Sequence, residues 1–402
     1  MQNTKIKILT ILLPLMLCCS LLRAASVAPY YDFQFTQGAA IPSRGSSEFS
    51  LNLVNDVGLL AKIHPRHTLV GFYEIKYVGP GLTQEEGESF SDRYMDYLLV
   101  VRHNWVYNNK YTFKAQLDNM IENRRTGANE AWGYGLYDYV RSGGMVDAEI
   151  NFETFKLDSA IQYSVLTFPN YTDLVSELQS GSADAESQSG KQDHNLIQIR
   201  SNLDYEENRF SFGLTLQNYI KQKVITNVTQ PDGTYYSSDL QRDIILNLGA
   251  ERTQKFSESI IMNMFISYKN RGSNQNYQHF LTAGSTVPVS YQADFNSYSE
   301  ISAGFPVTFA LAKKWDFVFS PEYKYKFYSS RSPRDENNLF VGGRQSTTLF
   351  LLSFAFNKKS SDVSTTSLFY TFQQQSSNMK FEKYMPYNYS GHFIGIRYSL
   401  RY

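Results

Sequence analysis

Apolar residues recur at every second position in many short segments along the chain. The last segment shows the pattern most clearly, with apolar side chains at Ile394, Ile396, Tyr398, Leu400 and Tyr402. A period of two predicts a β-strand with one apolar and one polar face, whereas a helix requires a period of 3.6. The same alternation appears in residues 111–122, 146–152, 155–165, 210–220 and 315–327. The sequence therefore predicts an all-β fold.

The connections between these segments alternate between short and long. Short connections are predicted at residues 64–67, 108–109, 154, 206–208, 253–254, 313–314 and 358–359. Long connections are predicted at residues 38–46, 79–91, 123–144, 168–193, 222–238, 270–289, 329–343 and 374–388. Seven short and eight long connections predict sixteen antiparallel strands, with both termini on the side of the short turns. The first strand is weak and residues 289–312 are long enough to contain a bend or bulge, so fourteen strands are the alternative.

The N-terminus has the features of a secretory signal peptide. Two lysines precede an apolar run over residues 8–22, and small residues follow it. We expect cleavage after Ala24 or Ala25, so that residues 1–25 are removed and residues 26–402 form one barrel domain. An uncleaved membrane anchor is the alternative for this segment.

Composition narrows the class of protein. The two cysteines, Cys18 and Cys19, lie in the signal segment, so the mature chain is predicted to lack disulfides; a lipoprotein signal at either cysteine is a further alternative. Aromatic residues make up 15% of the chain, yet the mean hydropathy is −0.38, and no later segment has eighteen consecutive apolar residues. Net charge is zero without a basic stretch, which argues against nucleic acid as a partner.

The C-terminal strand ends on the aromatic residue Tyr402. Such a strand resembles the C-terminal signal of bacterial outer-membrane β-barrel proteins, which the barrel-assembly machinery of that family reads. The resemblance implies a transmembrane antiparallel up-and-down β-barrel of about sixteen strands in the outer membrane. Its apolar face would contact the lipid of that membrane, and its polar face would contact water.

Aromatic rings on the apolar faces lie beside the short turns. Rings prefer the boundary between membrane and water, because an apolar body meets a polar surface there. We therefore predict a periplasmic aromatic girdle formed by Trp105, Tyr111, Phe152, Phe155, Tyr205, Phe210, Trp315, Phe356 and Tyr402.

About sixteen strands enclose a space wide enough for water, unlike eight strands, which fill their own interior. Few residues precede the first strand, so little chain is expected for an N-terminal plug. The architecture resembles that of general or substrate-selective porins, and implies passive diffusion of small hydrophilic solutes. The alternatives are an adhesion or structural role and an export role. The sequence leaves the oligomeric state open, with a homo-oligomer as one alternative.

The inward positions carry many charges, which set the ion preference of a pore where they line a constriction. The candidates are Lys114, Asp118, Asp147, Glu149, Arg200, Asp243, Glu300, Glu322, Lys324 and Arg397. Acidic residues are somewhat more numerous at the inward positions, which predicts a mild cation preference. The alternative is that most of these charges pair across neighbouring strands.

The third long connection is a candidate constriction, because the third loop of trimeric porins, which this chain resembles, folds into the lumen. Its glycines permit tight folding, and aromatic residues stand beside charges. The candidate residues are Arg124, Arg125, Glu130, Trp132, Tyr134, Tyr137, Asp138 and Arg141. An ordinary external loop is the alternative.

Catalytic chemistry has little support in the sequence. The chain contains six histidines, and none accompanies a nucleophile motif. Neither a glycine-rich phosphate loop nor metal-ligand spacing is present. We therefore predict that the protein is not an enzyme and has no cofactor.

Overall fold

The computed structural model describes residues 26–81, 92–125, 130–172, 190–280, 288–383 and 386–402. These residues form a closed antiparallel barrel of sixteen strands; 72% of them lie in strands and none in a helix. The predicted fold class is confirmed. Within the described ranges, no helix has the length and apolar character needed to cross a membrane.

Seventeen strand segments form the barrel wall, and a small hairpin lies outside it. Their bounds are β1 Ser26–Pro42, β2 Glu48–His64, β3 His67–Val78, β4 Arg93–Val106, β5 Tyr111–Arg125, β6 Tyr139–Asn151, β7 Phe155–Thr167, β8 His194–Tyr205, β9 Asn208–Ile225, β10 Tyr236–Ser257, β11 Ile260–Ser273, β12 Tyr277–His279, β13 Ser290–Gln292, β14 Tyr298–Gly304, β15 Val307–Ala312, β16 Trp315–Tyr328, β17 Ser346–Lys359, β18 Ser364–Ser377 and β19 Tyr389–Arg401. Strands β12 and β13 pair only with each other and form the hairpin.

Two of the wall segments, β14 and β15, are halves of one strand. Both pair with β11 on one side and with β16 on the other. The interruption falls at Phe305 and Pro306, where proline has no N–H to offer the ladder. The carbonyl of Pro306 still accepts a hydrogen bond from Asn263 N–H at 2.8 Å, so the wall stays continuous. The expected irregularity between residues 289 and 312 is present, and the strand count is sixteen.

The barrel closes by pairing its first strand with its last. Residues 32–42 of β1 lie opposite residues 391–401 of β19 in antiparallel register. Tyr31 and Tyr402 complete the seam by exchanging backbone hydrogen bonds of 2.9 and 2.8 Å. Closure leaves no unpaired strand edge in the wall, and an open edge is the feature through which sheets aggregate.

Two glycines face each other in this seam. Gly38 and Gly395 are direct cross-strand partners. A Cβ atom on Gly395 would lie 2.4 Å from the carbonyl oxygen of Gln37 and 2.9 Å from the ring of Phe369. A Cβ atom on Gly38 would lie 3.1 Å from the ring of Phe393. The aromatic rings therefore cover the glycine pair, and the two strands approach closely only because side chains are missing there.

Short and long connections alternate along the wall as predicted, but several bounds differ from the prediction. The long connections predicted at 38–46, 123–144 and 270–289 separate wall strands at 43–47, 126–138 and 274–297 instead. Two short turns are also displaced. The turn predicted at 253–254 lies at 258–259, and the turn predicted at 358–359 lies at 360–363. Both polar pairs are part of long strands instead. Thr253, for example, donates a side-chain hydrogen bond of 2.8 Å to Asn263 Oδ1 on β11. In each pair, two consecutive polar residues interrupt the alternation near the end of a strand and imitate a turn in the sequence, which explains the errors.

The two faces of the wall have opposite character. Apolar side chains project outward with high exposure, and Leu117, for example, is 70% exposed. Several acidic side chains on the inward face are nearly inaccessible, as at Asp118 and Asp147. This is the reverse of a soluble domain, in which apolar side chains fill the interior. This distribution fits a barrel whose outer surface contacts an apolar environment and whose interior is polar.

Candidate functional site

One sector of the interior, formed by β5 to β8, holds a dense network of ion pairs. Lys114 Nζ lies 3.2 Å from Asp147 Oδ1 and 3.3 Å from carboxylate oxygens of both Glu149 and Asp158. Arg200 on β8 reaches Asp147 at 3.3 Å, yet its side chain remains 54% exposed. Lys114 on β5 thus contacts carboxylates on β6 and β7, so that its ion pairs connect three neighbouring strands. We call this the mixed-charge wall.

The mixed-charge wall continues toward the end of the barrel that carries the long connections. Arg141 lies 3.2 Å from Asp118, and Lys76 lies 3.4 Å from Asp96. Both carboxylates are almost completely buried. A buried carboxylate without a cation would destabilise the fold. Each of these two carboxylates therefore pairs with a cation on a neighbouring strand.

A second sector, formed by β11, β14 and β16, presents mostly cations. Lys269, Glu300 and Lys326 are successive cross-strand partners on these three strands. Lys324 lies two residues from Lys326, on the same face, and contacts Glu322 at 3.2 Å. We call this the basic wall.

A recess of about 500 Å³ lies between the basic wall and strands β17 and β18. Its basic side includes Lys269, Arg271, Lys324 and Lys326, with a single carboxylate, Glu300. The opposite side is lined by the residues Thr347, Leu349, Leu351, Gln373 and Gln375. Both sides therefore combine groups that bind polar solutes with a small apolar surface.

Three long connections pack against one another above this recess; we call residues 274–280, 288–297, 329–345 and 378–383 the cap. The rings of Tyr277 and Phe295 stack with centroids 4.4 Å apart. His279 Nε2 donates a hydrogen bond of 2.7 Å to the carbonyl of Asn338, and its ring lies 4.8 Å from that of Phe340. Aromatic packing and hydrogen bonding therefore join the connection after β11 to the connection after β16.

Arg334 contacts the third connection of the cap, which follows β18. Its guanidinium lies 5.2 Å from the ring of Phe381, and its carbonyl accepts a hydrogen bond of 2.8 Å from Lys380 N–H. Arg44, in the connection after β1, forms an ion pair with Glu382. Burial raises the pKa of Glu382, but hydrogen bonds from Asn388 and Arg44 outweigh it, and the net pKa is lowered.

The surroundings of His279 disfavour the protonated, charged form of its imidazole. Burial lowers the pKa of this imidazole; the hydrogen bond to Asn338 raises it, and the charge of Arg334 lowers it further. Because a carbonyl can only accept, the neutral ring carries its proton on Nε2. The buried Nδ1 atom has no hydrogen-bond partner among the described residues. A second proton on Nδ1 would therefore be a buried donor without an acceptor among those residues.

The structure places all ten candidate pore-lining charges on the inward face, and eight of them take part in ion pairs. These eight are Lys114, Asp118, Asp147, Glu149, Arg200, Asp243, Glu322 and Lys324. Glu300 lies between Lys269 and Lys326 in the register, and the guanidinium of Arg397 lies 5.4 Å from the ring of Phe369. Six of the eight pair across strands, whereas Glu322 and Lys324 pair within β16.

The structure divides the residues of the candidate constriction loop between several locations. Arg124 and Arg125 belong to β5 and Arg141 belongs to β6, so the connection itself is shorter than predicted. Arg124 and Arg141 face inward, where Arg124 contacts Glu122 at 3.4 Å.

The described part of that connection lies at the rim. The guanidinium of Arg125 lies 5.2 Å from the ring of Trp132, which contacts the outward-facing Tyr77 at 6.3 Å. Tyr137 lies 5.7 Å from Tyr171 of the next long connection. The remaining members are Glu130 and the exposed Tyr134, together with Asp138.

Asp138 organises the base of this connection. Its carboxylate accepts hydrogen bonds from the backbone N–H of Arg124 at 2.6 Å and of Gly135 at 3.1 Å. Burial raises the pKa of Asp138, while these two hydrogen bonds lower it, and the net pKa is raised. The contacts of the described residues join the connection to the rim. Entry of residues 123–144 into the lumen stays a prediction.

The nine candidate girdle residues face outward beside the short turns. The rings of Phe152 and Phe155 lie 4.2 Å apart, and those of Trp315 and Phe356 lie 5.1 Å apart. Trp105 contacts Phe113 at 5.5 Å. The other members are Tyr111, Tyr205, Phe210 and Tyr402, of which Tyr402 is 74% exposed. Their contact with a membrane boundary stays a prediction.

The recess and the cap were not predicted from the sequence. Gln373 and Gln375 stand in a run of three glutamines, which reads as an ordinary polar stretch. The cap residues lie in connections without periodicity, and contacts between separate connections leave no local signal. The alternation of Lys324 and Lys326 with tyrosines was the one usable indication of the basic wall.

No family model matches the chain, and no curated protein matches it. Solved structures of similar shape include OmpT, an outer-membrane protein of Vibrio cholerae, at 14% identity over 94% of this chain and 98% of that chain, with a TM-score of 0.45. OccAB1 of Acinetobacter baumannii matches at 9% identity over 93% and 96%, with a TM-score of 0.47. A bacterial polysaccharide outer membrane secretin matches at 11% identity over 92% and 98%, with a TM-score of 0.45. The closed sixteen-stranded barrel of this chain is established by its own strand pairing.

Proposed function

We propose that the protein is an outer-membrane channel for passive diffusion of small hydrophilic solutes. One observation carries the proposal: charged side chains on the inward face of a closed wall remain open to solvent. Arg200, Arg209 and Lys324 have side chains that are 54%, 51% and 38% exposed, respectively. A filled interior would bury such side chains, whereas a wet interior solvates them.

The location proposed for this channel is the bacterial outer membrane. Exposed apolar side chains on the outward face need a hydrocarbon environment, because they would otherwise form a large apolar surface in water. The outward aromatic residues beside the short turns support the same placement. Export by a cleaved signal peptide and insertion by the barrel-assembly machinery through β19 are parts of the proposal.

Reconstitution into planar lipid bilayers tests the proposal directly. We expect stepwise increases of current on addition of the refolded protein, and swelling of liposomes in small sugars but not in large dextrans. Heat-denatured protein at the same concentration is the matched control. A folded barrel that never opens under these conditions would contradict the channel function.

A second candidate is an adhesion or structural role, which the packed cap favours. The aromatic contacts of Tyr277, His279 and Phe340, together with the ion pair of Arg44 and Glu382, give the external side a fixed surface. This role predicts an insulating barrel that retains binding to a surface or partner. The same bilayer measurement separates the two candidates, because only the channel conducts.

A further inference from the structure

We propose that the recess beside the basic wall binds a sugar acid, that is, a monosaccharide or disaccharide carrying a carboxylate. The proposal rests on the proposed channel function for access of the solute to the lumen. It assigns a preferred substrate class to one wall of the interior. Charge, hydrogen-bonding groups and ring surfaces in the recess each fit a different part of such a molecule.

The charge of the recess fits a carboxylate. Its lining holds four cations, Lys269, Arg271, Lys324 and Lys326, and one carboxylate, Glu300. Arg271 forms an ion pair with the buried Asp243, and Lys324 contacts Glu322. Lys269 and Lys326 flank Glu300 in the register, so a second anion bound between them would meet two ammonium groups. Rings of lysine and arginine are the arrangement that selects anions in pores.

An unpaired acceptor fits the hydroxyl groups. Gln345 is 1% exposed and lines the recess, and its Oε1 atom has no hydrogen-bond partner within the described residues. A buried acceptor without a donor is costly, and a sugar hydroxyl can supply the missing donor. Thr347 and Gln375 line the same recess and add a hydroxyl and an amide.

Aromatic and aliphatic surfaces fit the faces of a sugar ring. Tyr298 and Tyr328 line the recess with ring centroids 5.9 Å apart, and Lys326 Nζ lies 4.1 Å from the centroid of Tyr298. Leu349 and Leu351 lie on the other side. The volume of about 500 Å³ falls in the ordinary range of small-molecule sites, roughly 300–1,000 Å³.

The mixed-charge wall makes a useful contrast. There Lys114 is surrounded by Asp147, Glu149 and Asp158, so its charge is already neutralised by carboxylates. An incoming anion would meet repulsion as well as attraction on that wall. The two walls therefore make different predictions for the same substitution of lysine by glutamine.

Single-channel recordings of the reconstituted full-length protein test the proposal with glucuronate as the probe and glucose as its uncharged counterpart. We expect glucuronate to interrupt the current at concentrations about tenfold lower than glucose, as expected for one added charge-assisted contact. Lys326→Gln is expected to remove most of this difference. Gln345→Leu, which removes the unpaired acceptor but keeps the size, is expected to weaken interruption by glucose and glucuronate alike. Lys156 on β7 contacts Glu149 of the mixed-charge wall at 3.0 Å. Lys156→Gln is the matched control and should leave the difference unchanged.

Three outcomes would overturn the proposal while leaving the channel intact: glucuronate and glucose act equally, acetate competes as well as glucuronate does, or Lys156→Gln has the same effect as Lys326→Gln. A barrel that does not conduct would instead contradict the proposed function. In that case calorimetric titration of glucuronate into the detergent-solubilised protein decides the binding proposal on its own. Heat of binding that Lys326→Gln abolishes would support the site, and its absence in the unsubstituted protein would refute it.

Discussion

At the scale of single residues, the interior depends on carboxylates that are buried on the polar face of a wall. Asp147 is the clearest case, because its side chain is 1% exposed and contacts both Lys114 and Arg200. The sequence shows that such a residue faces the polar side. It does not show that two cations from different strands meet there.

Replacement of Asp147 by asparagine tests the network at this residue. We expect Asp147→Asn to lower the free energy of unfolding by about 2 kcal/mol, because two cations lose a buried counter-ion while Lys114 keeps two others. Urea unfolding in detergent micelles measures the change. Asp204→Asn is the control, since Asp204 and Arg209 are both well exposed and their pair is worth about 1 kcal/mol or less. Equal effects of the two substitutions would contradict the interpretation.

His279 makes the cap sensitive to pH. Its folded pKa lies below the ordinary value, so the unfolded hairpin binds more protons as the solution is acidified. At pH values above the ordinary histidine pKa of about 6.5, the neutral imidazole makes its full contribution to the stability of the cap. This contribution is lost as the pH falls through the lower pKa of the folded state. We expect hydrogen exchange of the amides of β12 and β13, corrected for intrinsic rates, to be faster at pH 5 than at pH 8.

His279→Gln separates titration from packing. Glutamine can donate to the carbonyl of Asn338 but does not titrate in this range. The corrected exchange rates of the hairpin should therefore lose their dependence on pH in this variant. Persistence of the same dependence would assign it to another group.

At the scale of elements, the seam between β1 and β19 decides whether the sheet becomes a barrel. Every other strand in the wall follows its chain neighbour through a connection, but these two strands meet only through their register. Gly38 and Gly395 allow that approach, and the ring of Phe369 covers the second glycine. The alternation of β19 was plain from the sequence, whereas the partner of each glycine was not.

Gly395→Val is expected to prevent proper closure. Its Cβ atom alone would lie 2.4 Å from the carbonyl oxygen of Gln37, and the backbone of the seam cannot retreat without breaking the ladder. We expect a loss of more than about 3 kcal/mol and little of the folded form that migrates differently on unheated gels. Gly272→Val on β11, where a Cβ atom meets nothing within 4 Å, is the matched control. Normal closure of the Gly395 variant would contradict this expectation, because it would show that the backbone of the seam can move to accommodate a side chain.

At the scale of the whole molecule, the interior is asymmetric. The mixed-charge wall neutralises its own charges, the basic wall leaves a cationic recess, and the cap lies over the recess. A count of inward charges predicts a mild cation preference for the pore. We expect the ion preference to differ between the mixed-charge wall and the basic wall.

The cap, and not the connection after β5, is expected to limit the current. Phe340→Ser removes the ring that contacts both Tyr277 and His279, which should weaken packing of the cap by about 2 kcal/mol. Single-channel conductance should therefore rise. Tyr134→Ser, at a side chain that is 77% exposed in the connection after β5, is the control and should leave conductance unchanged. The reverse result would restore the third connection as the constriction.

The sequence pattern predicts the class of fold, favours sixteen strands over fourteen, and predicts the alternation of loop lengths and the polar face for the candidate charges. These properties follow from a period of two along the chain, which is local and needs no partner. The folded barrel alone shows that Gly38 meets Gly395, that Lys269 and Lys326 flank Glu300, and that three distant connections form a cap. Those facts depend on register and closure, because each joins residues that the chain holds far apart.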